Sequence, residues 1–536
     1  MSQSSRQVQR QQRLQRSLDR LLLVALPLGG LAIAGRLFIE LAGLPFFGLN
    51  ASRLSWSFAL AHGYQLYLLP DEGPLVDYHY TPLAAISYLP ATLASTPSPA
   101  LLIGGILTLG FVLLPAVWLH AAGERGLSRT VAAASFLAFC IFLVHDVALE
   151  RSAFMIHADA PALGLCVAAC ACLMRGRPGV ARSRATLALA ALFAVLAVWT
   201  KQTAIAIVWA LPLHLLLAEG APTALRYLLY MALASAGTAA AFGLAFGPER
   251  IVYNLLLIPL DQIAATSDAL PSAASALARL VWILRWPLVV IALLLVWSRR
   301  RVRGWRVWLR DNPWTLLLTV ALCMAPVATL AAQKVGGNVN SYSFATAFAI
   351  AAATVGLAGA TVRTGAAGLV ARAGLLLILA VGVVSGLGSS ERWSDFERAV
   401  ARASAFRNNP EEKAYRFALR HPPGQVYFPL DPLPTLLAEG VLYNMSLGMV
   451  SRSVASVSVS PALYWRYLPP DLRVVAMRQW FPKVRFPFPK RLAAAGFVRQ
   501  PPDPALPGWE LYRRRANHKK AKGAGPRKRR RGRSTR

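Results

Sequence analysis

Eleven apolar stretches dominate this chain of 536 residues, near 21–43, 99–121, 130–146, 159–174, 185–200, 203–218, 225–246, 278–297, 313–332, 342–360 and 370–388. About 18–20 apolar residues cross the roughly 30 Å hydrocarbon core of a bilayer, and only helices or closed barrels satisfy their backbone there. An all-α polytopic membrane protein of about eleven spans is therefore expected. Composition agrees: 56% of residues are hydrophobic and 15% charged, against about 25% charged in a soluble domain. That balance excludes a water-soluble enzyme, a disordered scaffold and a nucleic-acid module. The polar run 1–20 followed by a full-length apolar segment does not read as a cleavable signal peptide.

Cations in alternate connections set the expected orientation, because short cytoplasmic loops collect Lys and Arg. One set of connections holds twenty, from the Arg6–Arg20 run to Arg363 and Arg372; the other holds six, Arg53, Arg151, Lys201, Arg250, Arg279 and Lys334. Residues 1–20 are thus expected in the cytoplasm. The same parity, with two prolines, predicts that Tyr80–Leu93 is an interfacial helix and not a twelfth span.

Past Ser390 the apolar runs give way to charges, prolines and strand-like pieces, "GQVYFPL", "RVVAM" and "GWELYRRR". The expected division is a basic N-terminus (1–20), a membrane domain (21–389), a small mixed α/β soluble domain outside the cell (390–512) and a disordered basic tail (513–536). The tail carries 13 of the 57 cations and no acid, which suits anionic headgroups; no nucleic-acid partner is expected outside the cell. All five cysteines fall inside spans with no nearby histidine and read as small apolar packers. Without a P-loop lysine signature or a strand-borne GxGxxG, an ATP-driven pump or nucleotide-cofactor enzyme is disfavoured.

Few ionisable groups remain on the outer side, and they gather in three places. The first external loop holds Asp71, Glu72, Asp77 and His79; the second holds His145, Asp146, Glu150, Arg151, His157 and Asp159; the lone cations are Lys201 and Lys334. Charges at a membrane face are costly enough to suggest use. A lipid-phosphate sugar donor needs cations for its departing phosphate, and the acceptor hydroxyl needs a carboxylate base. Two plainer readings stand beside this: Lys201 snorkelling to the interface, and Asp159 capping its helix before Pro161. Arg36 and Glu40, four apart in the first span, are expected to pair within the bundle. Glu249 and Arg250 open a polar segment, 247–277, that either gates a substrate or merely connects.

The loop "HGYQLY…DEGPLVDYHYTPLAAISYLP", the entry "HADAPALGL" and "TKQTA" together resemble the polyprenyl-phosphate-sugar-dependent glycosyltransferases of the GT-C fold, including bacterial relatives of the protein mannosyltransferases. The resemblance covers roughly residues 20–390. It implies an inverting transfer of sugar from a polyprenyl-phosphate donor to a glycan, lipid or protein acceptor, at the outer face of a bacterial cytoplasmic membrane. A loop acid would serve as catalytic base, best matched by Asp71 or Glu72 with Asp77 as rival. Asp159 matches the second family acid, orienting the base or binding a divalent ion, and His157 stands where relatives often have Arg. Lys201, with Lys334 or Arg250, would neutralise the leaving phosphate; no cofactor is required, though a divalent cation is allowed. The departure lies in "NASRLSWS", where relatives carry their loop acid and this chain has no carboxylate. Either Asp71 or Glu72 has taken over, or the base lies in the second loop, or catalysis is altered. The alternatives are a secondary transporter or flippase, for which an internal repeat is lacking, and a polysaccharide polymerase or ligase, which would favour Arg-rich outer loops.

Overall fold

The computed structural model describes residues 3–46, 49–70, 72–76, 78–123, 127–175, 182–264, 273–299, 304–333, 337–363, 365–387, 390–446, 448–449, 452, 465–479 and 488–515. Asp71, Asp77, Lys334 and the tail beyond Arg515 lie outside these residues.

The helices are, in chain order, α1 (Gln3–Gly43), α2 (Asn50–Ala61), α3 (Pro82–Ile86), α4 (Pro97–Ala122), α5 (Arg129–His145), α6 (Val147–Phe154), α7 (Asp159–Met174) and α8 (Arg184–Val198). There follow α9 (Ile207–Glu219), α10 (Ala221–Phe246), α11 (Pro248–Val252), α12 (Ile258–Ala264), α13 (Ala273–Arg299), α14 (Trp305–Asp311), α15 (Trp314–Gln333), α16 (Ser343–Thr361) and α17 (Ala366–Leu387). The C-terminal region adds α18 (Ser390–Ser404), α19 (Pro410–Leu419), α20 (Leu433–Glu439) and α21 (Phe488–Ala494).

Each of the eleven expected apolar stretches is helical, and the protein is a multi-pass membrane protein. Among the described residues, however, eight helices are long and apolar enough to cross, or nine if α5 and α6, which meet at a 93° bend, make one span. The remaining two of the expected eleven apolar stretches are the shorter helices α7 and α8, of 16 and 15 residues. At 1.5 Å per residue they reach only about 22–24 Å. The interfacial expectation for 80–93 agrees with its length: α3 and a 3₁₀ turn at Leu89–Leu93 form one short, broken apolar helix.

Small side chains explain the packing. Helix α16, "SFATAFAIAAATVGLAGAT", is buried on nearly every side, and its alanines let α5, α13, α15, α17 come close. Helices α4 and α7 approach most tightly at Gly164, where a Cβ would lie 2.2 Å from the Phe111 carbonyl oxygen; only glycine fits. Helix α10 is the opposite case, with Leu225, Leu229, Leu233 and Leu244 all exposed, as suits a helix facing lipid. The cysteines are free thiols, four buried and Cys323 half-buried, within this apolar packing.

The C-terminal region contains a four-stranded sheet: β1 (Val426–Tyr427), β2 (Val474–Arg478), β3 (Phe497–Arg499) and β4 (Trp509–Arg514), in the order β1-β2-β4-β3. Strand β1 pairs parallel to β2, and the other neighbours are antiparallel. Three strands fall in the expected segments; β3 is the addition. Phe428, Val474, Ala476, Trp509 and Leu511 pack against Phe417 of α19 to form its core.

This region is fastened by polar contacts to the segment between α1 and α4. Ser52 of α2 donates to Asp431 Oδ1 at 2.9 Å and also to the Leu430 carbonyl. Asn444 accepts from the Leu75 amide at 2.7 Å, and the Met445 amide returns a bond to Leu75 at 2.9 Å. Asp431 and Glu411 share the Arg478 guanidinium, which stacks 4.3 Å from the Trp509 ring.

Candidate active site

The shortness of α7 and α8 positions the site. They form an antiparallel hairpin whose open end carries Asp159, the first residue of α7, and Lys201, three residues past the end of α8. Both side chains are buried, Asp159 completely, and Lys201 Nζ donates to Asp159 Oδ1. Lys201 therefore does not snorkel. Nor does Asp159 cap its helix: Ala158 takes that position and the carboxylate turns inward.

The second oxygen, Asp159 Oδ2, accepts from Asn340 Nδ2 at 2.8 Å and lies 2.6 Å from His157 Nδ1. The other imidazole nitrogen, His157 Nε2, is 2.8 Å from the Tyr80 hydroxyl. Nδ1 also lies 3.3 Å from the Asp159 amide, and the imidazole thus links the Tyr80 hydroxyl on one side to Asp159 and Lys201 on the other, its tautomer setting the direction of each bond. Tyr88 holds the backbone beneath, donating to the His157 carbonyl at 2.9 Å. A buried carboxylate sharing its two oxygens among a lysine, an imidazole and an amide is fixed in orientation and stabilised as the anion.

The segment between α2 and α4 covers this end of the hairpin. Gln202 Nε2 donates to the His79 carbonyl at 2.9 Å, Thr81 Oγ1 to Val198 O at 3.3 Å, and the Leu83 amide to Trp199 O at 3.1 Å. His79 thus contributes its backbone, while its ring rests 5.0 Å from that of Tyr80. Arg53, from the "NASRLSWS" segment, donates to the Ile156 carbonyl at 3.4 Å and, with Tyr80, Tyr88 and His157, lines a cavity of about 20 Å³, room for roughly one water.

Two expected site residues neutralise each other. Arg250 makes a two-pronged bond to Glu72, Nε to Oε2 at 2.8 Å and Nη2 to Oε1 at 2.9 Å. These bonds, with one from the Leu69 amide, hold the Glu72 carboxyl below its usual range. The pair is half-exposed and joins the first loop to α11; neither side chain hydrogen-bonds to the Asp159 cluster. Arg151 is exposed on α6 and takes no part in the cluster. Arg36 does pair with Glu40, and reaches Glu150 at 3.3 Å as well.

The residues that sequence reasoning missed are Arg53, Tyr80, Tyr88 and Asn340. Arg53 was visible only as one of six outer cations, and Asn340 has no charge to betray it. No group of three or more His, Cys, Asp or Glu side chains suited to a metal ion occurs among the described residues.

An apolar groove of about 440 Å³ lies against the same hairpin, lined by Phe111, Trp118, Phe193, Leu196 and others; its lining includes Pro161 and Thr200, close in sequence to Asp159 and Lys201, which do not themselves line it.

No protein-family model and no curated protein matches this sequence. Solved structures do match. ArnT from Cupriavidus metallidurans bound to undecaprenyl phosphate aligns over 90% of this chain and 97% of its own, with 12% identity and a TM-score of 0.57. Its apo state aligns over 91% and 97%, with 11% identity and a TM-score of 0.55. The archaeal oligosaccharyltransferase AglB from Archaeoglobus fulgidus aligns over 91% and 74% at 12% identity, with a TM-score of 0.43. The chain is similar to ArnT along nearly its whole length, and what it shares with that protein is the fold, the GT-C architecture that the sequence motifs implied.

Proposed function

We propose that this protein is a membrane glycosyltransferase that moves a sugar from a polyprenyl-phosphate carrier to an acceptor at the outer face of a bacterial cytoplasmic membrane. One observation carries the reading: a buried Asp159–Lys201 pair, tied to His157 and Asn340, lies within two residues of Pro161 and Thr200, which line an apolar groove, in a fold like that of ArnT, whose structure holds undecaprenyl phosphate. An apolar chain in the groove would bring its phosphate to Lys201. The ammonium would then exchange its carboxylate partner for the phosphate, stabilising the departing anion. Released from Lys201, Asp159 would draw the proton from the acceptor hydroxyl, and His157 and Tyr80 would hold its orientation. Direct displacement at the anomeric carbon would invert the sugar's configuration.

Within this reading Glu72 and Arg250 form a clasp at the rim and are not the base and the phosphate ligand. Asp71, Asp77 and Lys334 stay as further candidates on the same side. The cytoplasmic N-terminus, the external C-terminal domain and the division near residue 390 belong to the proposal; the supporting observation is the twenty-to-six asymmetry of loop cations.

The test is mass spectrometry of lipids and envelope glycans from cells carrying the wild type, no gene, or Asp159→Asn. The expected result is that a polyprenyl-phosphate sugar accumulates and one glycan modification disappears in both defective strains. Unchanged pools, with the wild type demonstrably expressed, overturn the proposal.

A further inference from the structure

Helix α18 has three faces of different character. Asp395, Ala399 and Arg402 recur at helical spacing on the side toward α1, where Ala399 is wholly buried and a Cβ on Gly43 would lie 2.9 Å from Arg402 Nη1. Ser394 and Arg398 stand on a second side, and the charge there is matched within the helix. Arg398 donates to Ser394 Oγ at 2.7 Å and to Asp395 Oδ1 at 2.6 Å. Trp393, Phe396 and Val400 form the third face, at the three- and four-residue steps of one helical stripe, and are 58%, 37% and 47% exposed. Glu397, also exposed, borders this stripe on the polar side. Three large apolar side chains left bare on a helix of 15 residues call for a cover.

The position of α18 identifies that cover. Val24, Leu28 and Leu31 make an exposed stripe on α1, and Phe38, on the same face and 38% exposed, continues it. No charge interrupts α1 between Arg20 and Arg36. Phe38 therefore stands where the uncharged stretch gives way to Arg36 and Glu40, at the level of the membrane interface. Contacts with α1 then climb along the chain: Gly386 of α17 meets Ala32, Phe396 lies 5.6 Å from Phe38, and Arg402 reaches Gly43. Helix α18 rises from membrane depth to the rim. Its bare stripe, with the Trp393 ring 6.4 Å from that of Phe396, extends the lipid-facing surface of α1.

We propose that α18 is seated in the bilayer interface, with Trp393, Phe396 and Val400 among acyl chains and Arg398 toward headgroups and water. Lipid then anchors the C-terminal region alongside its polar contacts to the rest of the protein. The chemistry of the stripe selects this occupant: it is aromatic and aliphatic, as in helices that lie at membrane surfaces. A protein partner on the same stripe would also have to cover Phe38 and the exposed leucines below it, which lie at membrane depth. The inference rests on the protein's place in a membrane and stands whether or not sugar transfer is its reaction.

The test places a nitroxide label on Val400→Cys and, separately, on Arg398→Cys in the full-length protein, reconstituted into phosphatidylcholine vesicles. Power-saturation electron paramagnetic resonance reads collisions with oxygen, which is lipid-soluble, and with a nickel chelate, which is not. Both positions are exposed, and labelled wild type supplies the background from half-buried Cys323. The oxygen-to-nickel ratio should be about tenfold higher at Val400→Cys than at Arg398→Cys, as a depth of about 5–10 Å below the headgroups implies. Equal ratios at the two positions overturn the proposal, since water then bathes both sides. So does a label at position 400 shielded from both reagents, which would make the cover a protein.

Discussion

Asn340 Nδ2 donates to Asp159 Oδ2 at 2.8 Å across 181 residues of sequence, joining the segment before α16 to the first turn of α7. The amide fixes the plane of a carboxylate that would otherwise rotate about its last bond. Asn340→Ala should lower the turnover rate about tenfold, the loss of one charge-assisted bond, and leave KM for the lipid donor nearly unchanged. Steady-state transfer from a polyprenyl-phosphate sugar checks this, and an unaltered rate removes Asn340 from the site.

Removing one partner of the Asp159–Lys201 pair strands a charge in a buried place. Lys201→Met should therefore cost about 3–5 kcal/mol of stability, and Asp159→Asn a comparable amount. The double substitution removes both charges and should recover most of that loss while sugar transfer stays abolished. Thermal unfolding in detergent, with the transfer assay alongside, separates the two effects.

Arg250 and Glu72 are half-exposed, so solvent screens their pairing and it contributes little to stability. Either Glu72→Gln or Arg250→Gln should raise KM with little change in kcat, because each opens the same clasp. The charge-swapped double variant should restore KM. A collapse of kcat in Glu72→Gln alone would instead make this carboxylate the base.

Burial, with Asp431 alongside, pushes the Glu411 carboxyl up to about 8 against an ordinary 4.5, and Arg478 offsets only part of the shift. A carboxyl whose pKa is higher in the folded state binds more protons there, so its contribution is complete below about pH 4.5 and is lost as pH rises through about 8. The unfolding temperature should fall across that interval. Glu411→Gln should flatten the profile, and a wild-type profile that rises across it contradicts this account.

Gly164→Ala places a methyl group 2.2 Å from the Phe111 carbonyl oxygen, and backbone cannot yield as a side chain can. Overpacking at such a crossing costs about 1–3 kcal/mol or more. Reduced membrane accumulation of the variant is expected, with Gly110→Ala, where a Cβ meets nothing within 4 Å, as the neutral control.

Hydropathy located every membrane helix and three of the four strands, since both signals are periodic and local. Asp159, His157 and Lys201 were also readable, as polar groups at the ends of apolar segments. What local pattern could not supply was pairing. Glu72 and Arg250 could be read as charged groups, but nothing in the sequence says that they pair with each other. Asn340 and Tyr80 are uncharged, and reach the cluster only through long-range folding. Helix length was less legible at α8, where apolar composition runs on through Trp199 although the helix stops at Val198.

Ser52 and Arg53 are consecutive residues that look in different directions, one gripping Leu430 and Asp431, the other the carbonyl just before His157. A stop codon soon after Ser390 would leave every membrane helix intact and the remnant able to insert. Such a remnant would have lost the grip that steadies α2, one peptide bond away from the wall of the Asp159 cluster. The far end of the gene is therefore no dispensable appendage, and a truncated allele should behave as a null.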